Sequence, residues 1–172
     1  MSADLPDSVD AWRAVAGRRV FEGKVPLAAF LRLRESLADA EGSCVCRLSF
    51  DRDAFGVAQV ELEADAELPL ICQRSLERFV LPVSIRQRLG LVRDENDESS
   101  LPGEVEPVLV GADGELKPLE LVEDELILAL PVVPMGPESL AAALPSPVVI
   151  DEPEEPKQNP FAALAALKAK KE

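Results

Sequence analysis

The stretch Cys44–Leu68, CVCRLSFDRDAFGVAQVELEADAEL, decides how this chain folds. Cys44, Cys46, Leu48 and Phe50 alternate with Val45, Arg47 and Ser49. After a turn at Asp51–Ala54, Val60, Leu62, Ala64, Ala66 and Leu68 alternate with Glu61, Glu63, Asp65 and Glu67. A third run places Phe79, Leu81, Val83 and Ile85 on one side. Period-two patterning with one apolar and one charged face marks an antiparallel sheet that faces water on one side. A meander is expected here.

Outward from this centre the period changes. Upstream, Ser8 can cap a short helix over Val9–Ala16 that stops at Gly17, and Arg18–Val25 reads as a strand. Pro26 suits the first position of a second helix, with Leu27, Phe30, Leu31, Leu33, Leu37 and Ala38 at helical spacing. Downstream, residues 94–107 are acidic, aperiodic and contain Gly and Pro, and read as a mobile loop. A short strand at Val108–Val110 and a turn at Ala112–Gly114 follow. From Pro118 a helix is expected, with Leu119, Val122, Leu126 and Leu130 on its buried face and Glu120, Glu123 and Asp124 on the opposite one.

Eight of the 15 prolines fall between Pro131 and Pro160, which argues for an extended arm. It ends in NPFAALAALKAKK, where Asn159 can cap and Pro160 can start a short helix whose terminal lysines complement the dipole. The expected fold class is therefore α+β: an antiparallel meander sheet, open or curled towards a barrel, with helices packed on one face and a proline-rich C-terminal arm. Residues 1–130 form the α+β globular domain in this reading, 131–158 the Pro/acid-rich linker and 159–172 the short helix.

Composition narrows the chemistry. The 172 residues include no His and no Tyr, three Cys and one Trp; 47% are hydrophobic but only 4% aromatic, so the core is built from Leu, Val and Ala. Absence of His removes imidazole bases, the common triads and His-containing zinc sites. The N-terminus has no apolar signal-like segment, and the longest apolar stretch, Leu126–Pro134, is far shorter than the roughly 18–20 residues a membrane helix needs. The three cysteines read as reduced thiols of a cytoplasmic protein.

The net charge of −14 is segregated. Residues 1–93 carry 13 basic and 14 acidic groups, residues 94–156 carry 1 and 17, and residues 157–172 carry 4 and 1. Phosphate contacts dominate nucleic-acid affinity, so this balance opposes DNA binding and extensive RNA binding. One basic concentration survives: Arg74, Arg78, Arg86, Arg88 and Arg93 against Glu77 alone. Arg78, Arg86 and Arg88 should project from the face opposite Phe79–Ile85, with Pro82 as a potential interruption. A local RNA contact would have to use Arg74, Arg78, Arg86 and Arg88.

Other motifs fail on spacing. Cys44, Cys46 and Cys72 could converge, but a structural zinc site wants four ligands, so they read as small apolar core residues. Glu120, Glu123, Asp124 and Glu125 are consecutive acids at a helix start, which suits a solvated face rather than a magnesium cluster. GRRVFEGK at Gly17–Lys24 misses both the glycine spacing and the final Ser or Thr of a phosphate loop, and no Ser is followed by Lys three residues later. No catalytic residue, metal or cofactor is expected.

LVEDELILALPVVP at Leu121–Pro134, followed by KQNPFAALAALK at Lys157–Lys168, closely resembles the C-terminal half of the YceD family of bacterial 23S ribosomal RNA accumulation proteins. Cys72-Gln73-Arg74 is similar to that family's central Cys-x-Arg-Cys block, with Ser75 where the second Cys often stands. The resemblance implies a small cytoplasmic protein needed for synthesis, processing or stability of large-subunit ribosomal RNA, often encoded beside a large-subunit ribosomal protein. It brings no catalytic residue.

Charge and resemblance together give the expected function: a non-catalytic ribosome biogenesis factor acting on 23S rRNA through protein docking. The partner would be a basic ribosomal or rRNA-processing protein, met by Glu120, Glu123 and Asp124 and anchored by Asn159, Pro160, Phe161, Leu164 and Leu167. A metal-dependent RNA-processing enzyme and an acidic adaptor unrelated to ribosomes are the competing readings.

Overall fold

The chain enters through a two-residue strand, β1 (Val9–Asp10), and a short helix, α1 (Ala11–Ala16), before the sheet strand β2 (Val20–Pro26). Single 3₁₀ turns at Leu27–Ala29 and Leu33–Ser36 follow. The alternating runs then become β3 (Ser43–Arg52), β4 (Ala58–Ile71) and β5 (Arg78–Val92). β6 (Glu106–Leu109), β7 (Glu115–Leu116) and helix α2 (Pro118–Leu128) complete the set. This computed structural model describes residues 5–94, 96–97, 101–103, 105–111 and 113–139, all within one compact unit. The expected terminal helix, 159–172, and the linker beyond residue 139 lie outside the described residues.

The main sheet has the order β2-β3-β4-β5-β6, antiparallel up to β5, and β1 pairs with β7 separately. It is an open α+β sheet, not a barrel. The meander departs from the expected all-antiparallel form at one edge, where β6 joins β5 in parallel through Leu89–Val92 and Glu106–Leu109. β6 thus begins inside the stretch read as loop.

β4 shows why the sheet forms. Val60, Leu62, Ala64, Ala66 and Leu68 are buried while Glu61, Asp65 and Glu67 face water and Glu63 is half-exposed. Cys44, Cys46, Leu48 and Phe50 of β3 line the same buried face, as expected for core thiols. All three cysteines are free. Helix α1, the turns at Leu27, Phe30 and Leu33, and Leu121, Val122 and Leu126 of α2 share this core.

Two upstream expectations are corrected. Val9 is a strand residue paired with Leu116, and the cap of α1 is Asp10, whose carboxylate accepts the Arg13 N–H at 2.9 Å, not Ser8. The second helix does not form. Leu27, Phe30 and Leu33 are buried at intervals of three, while Leu31 is exposed. The N–H groups of Arg32 and Leu33, which a helix would bond to carbonyls four residues back, instead donate to Glu123 Oε1 at 2.7 and 3.1 Å.

That carboxylate also corrects the reading of α2. Glu123 does not lie on the solvent face: it is 5% exposed, and Arg32 reaches its Oε2 through Nε and Nη2, each at 3.1 Å. Leu121 takes a buried position instead. Replacing Glu123 by Ala orphans two buried or part-buried N–H donors, so Glu123→Ala should cost about 2–4 kcal/mol. Glu123→Gln, which keeps one acceptor, should cost less; urea denaturation of the three proteins checks the order.

Candidate functional site

Two of the three acids expected to meet a partner come together. Glu120 and Asp124, one turn apart on α2, line a shallow groove of about 320 Å³ with Asp113 and Glu115 from the turn and strand opposite. Its floor is apolar, made by Val108, Leu109, Leu116 and Leu121. Leu109 is 55% exposed, an unusual state for a leucine within a sheet. Glu123, turned into the interior, does not line the groove.

The groove is net negative. Lys117, at its edge, pairs with Glu120 at 2.9 Å, and Arg32 pairs with Asp124 at 2.6 Å from the far side of α2. Asp113 Oδ1 accepts the Glu115 N–H at 3.1 Å, which shapes the turn without adding positive charge. Burial, followed by the nearby Glu106 and Asp124 carboxylates, pushes the Glu125 carboxyl above the ordinary glutamate range. Asp113, Glu115 and Leu109 were not singled out in the sequence, because nothing in their spacing ties them to α2.

The basic candidates separate. Arg78 pairs with Asp39 at 2.7 Å and Arg86 with Glu63 at 3.3 Å, while Arg88 stands opposite Glu61 in the β4–β5 register. Arg74 turns towards the carbonyl of Ser139 at 3.5 Å. Arg78, Arg86 and Arg88 do project from the exposed face, and Pro82 does not interrupt β5. Yet β4 lays Glu61, Glu63, Asp65 and Glu67 beside them, so these arginines stand among acids and not as an isolated basic patch.

A third arrangement joins two segments that the sequence separates. The β4–β5 turn holds Cys72, Gln73 and Arg74. Against it lie residues 134–139, read from the sequence as the start of an extended arm. The Gln73 N–H donates to the Pro134 carbonyl at 2.9 Å, and the Ser139 hydroxyl lies 3.2 Å from Cys72 Sγ. The Ser75 N–H also points at that sulfur, at 3.5 Å. Hydrogen bonds from Ser139 and then Ser75 lower the Cys72 thiol to about 6, whereas its bond with Cys46, together with burial, pushes the Cys44 thiol up. Ser75, which replaces a thiol of the expected block, therefore supports the one that remains. Among the described residues no group of three or more Cys, Asp or Glu is placed to hold a metal ion.

Sequence comparison places these features in context. A family model described as large ribosomal RNA subunit accumulation protein YceD matches residues 60–168, from the start of β4 past the end of the described chain. A Haemophilus influenzae protein of the same description is 32% identical over 169 residues, covering 96% of this chain and 97% of that protein. No solved structure matches. Among the described residues no helix is long and apolar enough to cross a membrane.

Two titrations follow from the geometry. Glu125 is disfavoured in its ionised form, so Glu125→Gln should raise stability at neutral pH, and the gain should vanish as pH falls below the ordinary value of 4.5. Cys72 is favoured as thiolate, so its stabilisation should be complete above the ordinary thiol value of 9.0 and lost as pH falls through about 6. The difference in urea midpoint between the native chain and Cys72→Ala should accordingly be larger at pH 9 than at pH 6.

Proposed function

The chain belongs to the YceD family of large ribosomal RNA subunit accumulation proteins, and from that membership we propose that it is a non-catalytic ribosome biogenesis factor that works by docking. In this reading it supports synthesis, processing or stability of 23S rRNA in the cytoplasm by holding a basic ribosomal or rRNA-processing protein. It has no need to grip the RNA itself.

The groove between α2 and the β6–β7 turn carries the reading. Its carboxylates repel phosphate and attract guanidinium and ammonium groups, while the exposed Leu109 and half-buried Val108 give a basic segment an apolar surface to bury. Of the residues from 94 to 156, only Lys117 is basic, so this stretch of the chain contributes a negative field. Such a field raises the rate of encounter with a cationic partner, and the gain falls as salt shortens its range. The segment Asn159–Leu167 would then supply an apolar anchor.

Charge reversal tests this directly. Glu115→Lys combined with Glu120→Lys leaves Glu123 and the core untouched. It should reduce co-sedimentation with large-subunit precursors and lower 23S rRNA levels in cells, with folding unchanged by circular dichroism. Removal of residues 157–172 should weaken the same co-sedimentation. Tight binding of the purified protein to naked 23S transcript at about 150 mM salt would sink the docking mechanism.

A further inference from the structure

The groove leaves another feature of the sheet unexplained. β5 pairs with β4 along Arg78–Gly90, but β6 covers its other side only from Leu89 onward. Among the described residues, nothing pairs with the outer edge between Arg78 and Arg88.

The two prolines in the hairpin fix which backbone groups face that edge. Pro82 lies opposite Glu67, and Pro69 opposite Val80, two residues apart along the ladder. Neither proline has an N–H, so both pairs are of the non-hydrogen-bonded kind, and the even-numbered residues of β5 turn their polar groups away from β4. The Val92 carbonyl follows the same alternation and accepts the Val110 N–H at 2.8 Å on the outer side. The N–H groups of Val80, Ser84, Arg86 and Arg88 therefore point outward, and Pro82 removes only one donor from the row.

The side chains repeat the pattern. On the core face Leu81, Val83 and Ile85 remain half-buried, although their β4 partners Leu68, Ala66 and Ala64 are shielded from water. Of the devices that guard an edge, this row carries one proline, Pro82, and outer-face charge, but no inward-pointing charge. On the outer face Arg86 and Arg88 lie at the margin.

We propose that the outer edge of β5, from Val80 to Arg88, is a β-augmentation site for an extended segment of a partner protein that alternates apolar and acidic residues. The apolar side chains would cover Leu81, Val83 and Ile85, and the acidic ones would lie beside Arg86 and Arg88. β4 already meets the other edge of β5 in this way, setting Glu63 against Arg86 and Glu61 against Arg88. The site is separate from the acidic groove and does not depend on it.

The probe is a nonapeptide with the sequence of residues 60–68, VELEADAEL, added to the full-length chain. Binding should protect the amides of Val80, Ser84, Arg86 and Arg88 from hydrogen exchange. Ser84→Pro, which removes an outward N–H and leaves the β4 ladder intact, should weaken it about tenfold. Arg86→Glu with Arg88→Glu leaves the backbone unchanged and should transfer the preference to the peptide VKLKAKAKL. Equal binding of both peptides to the native chain would overturn the proposal, as would unchanged binding by folded Ser84→Pro. Self-association of the chain that Ser84→Pro abolishes would assign the edge to a second copy instead and overturn the stated occupant.

Discussion

The rest of the structure depends on β4 having two chemically opposite faces. Its apolar side chains, Val60 to Leu68, lie in the core, and Glu61, Glu63, Asp65 and Glu67 lie opposite. Side chains repeat every two residues, so a slip of one residue against β3 or β5 would drive four carboxylates into the core, each at a cost of several kcal/mol. Register is thereby fixed on both sides of the strand. β3 must place Cys44, Cys46, Leu48 and Phe50 inward, and β5 must place Leu81, Val83 and Ile85 there.

The same constraint distributes charge. Because the acids of β4 face outward, the arginines of β5 come to rest beside them, and a basic cluster in the sequence becomes a mixed-charge surface in the fold. Excess negative charge is left to gather elsewhere, at α2 and the turn before β7. Glu123 escapes that pool because the backbone N–H groups of Arg32 and Leu33 and the Arg32 guanidinium hold it inside. One carboxylate thus joins α2 to the turns beneath it, while its neighbours Glu120 and Asp124 form the rim of a groove.

The family block at Cys72–Arg74 and the Leu121–Pro134 motif are far apart in the chain, yet Gln73 bonds to Pro134 and Cys72 meets Ser139, 67 residues away. Their contact ties the tip of the longest hairpin to the segment leaving α2. Ser75 and Ser139 supply hydroxyl or N–H donors there, and such donors favour the thiolate of Cys72.

Local periodicity was enough to determine the three long strands, their inner and outer faces, the helix starting at Pro118 and the burial of Cys44 and Cys46, because period and face are properties of neighbours in sequence. The motifs at Leu121–Pro134 and Lys157–Lys168 were likewise enough to place the chain in its family. Only tertiary structure decided that Leu27–Ser36 would form turns, since a carboxylate some 90 residues away takes the N–H groups a helix would use. It alone decided that β6 runs parallel, that Glu123 is internal and that Asp113 and Glu115 face Glu120. Hydrogen-bond partners and electrostatic neighbours are set by distance in space, and a one-dimensional pattern carries no record of them.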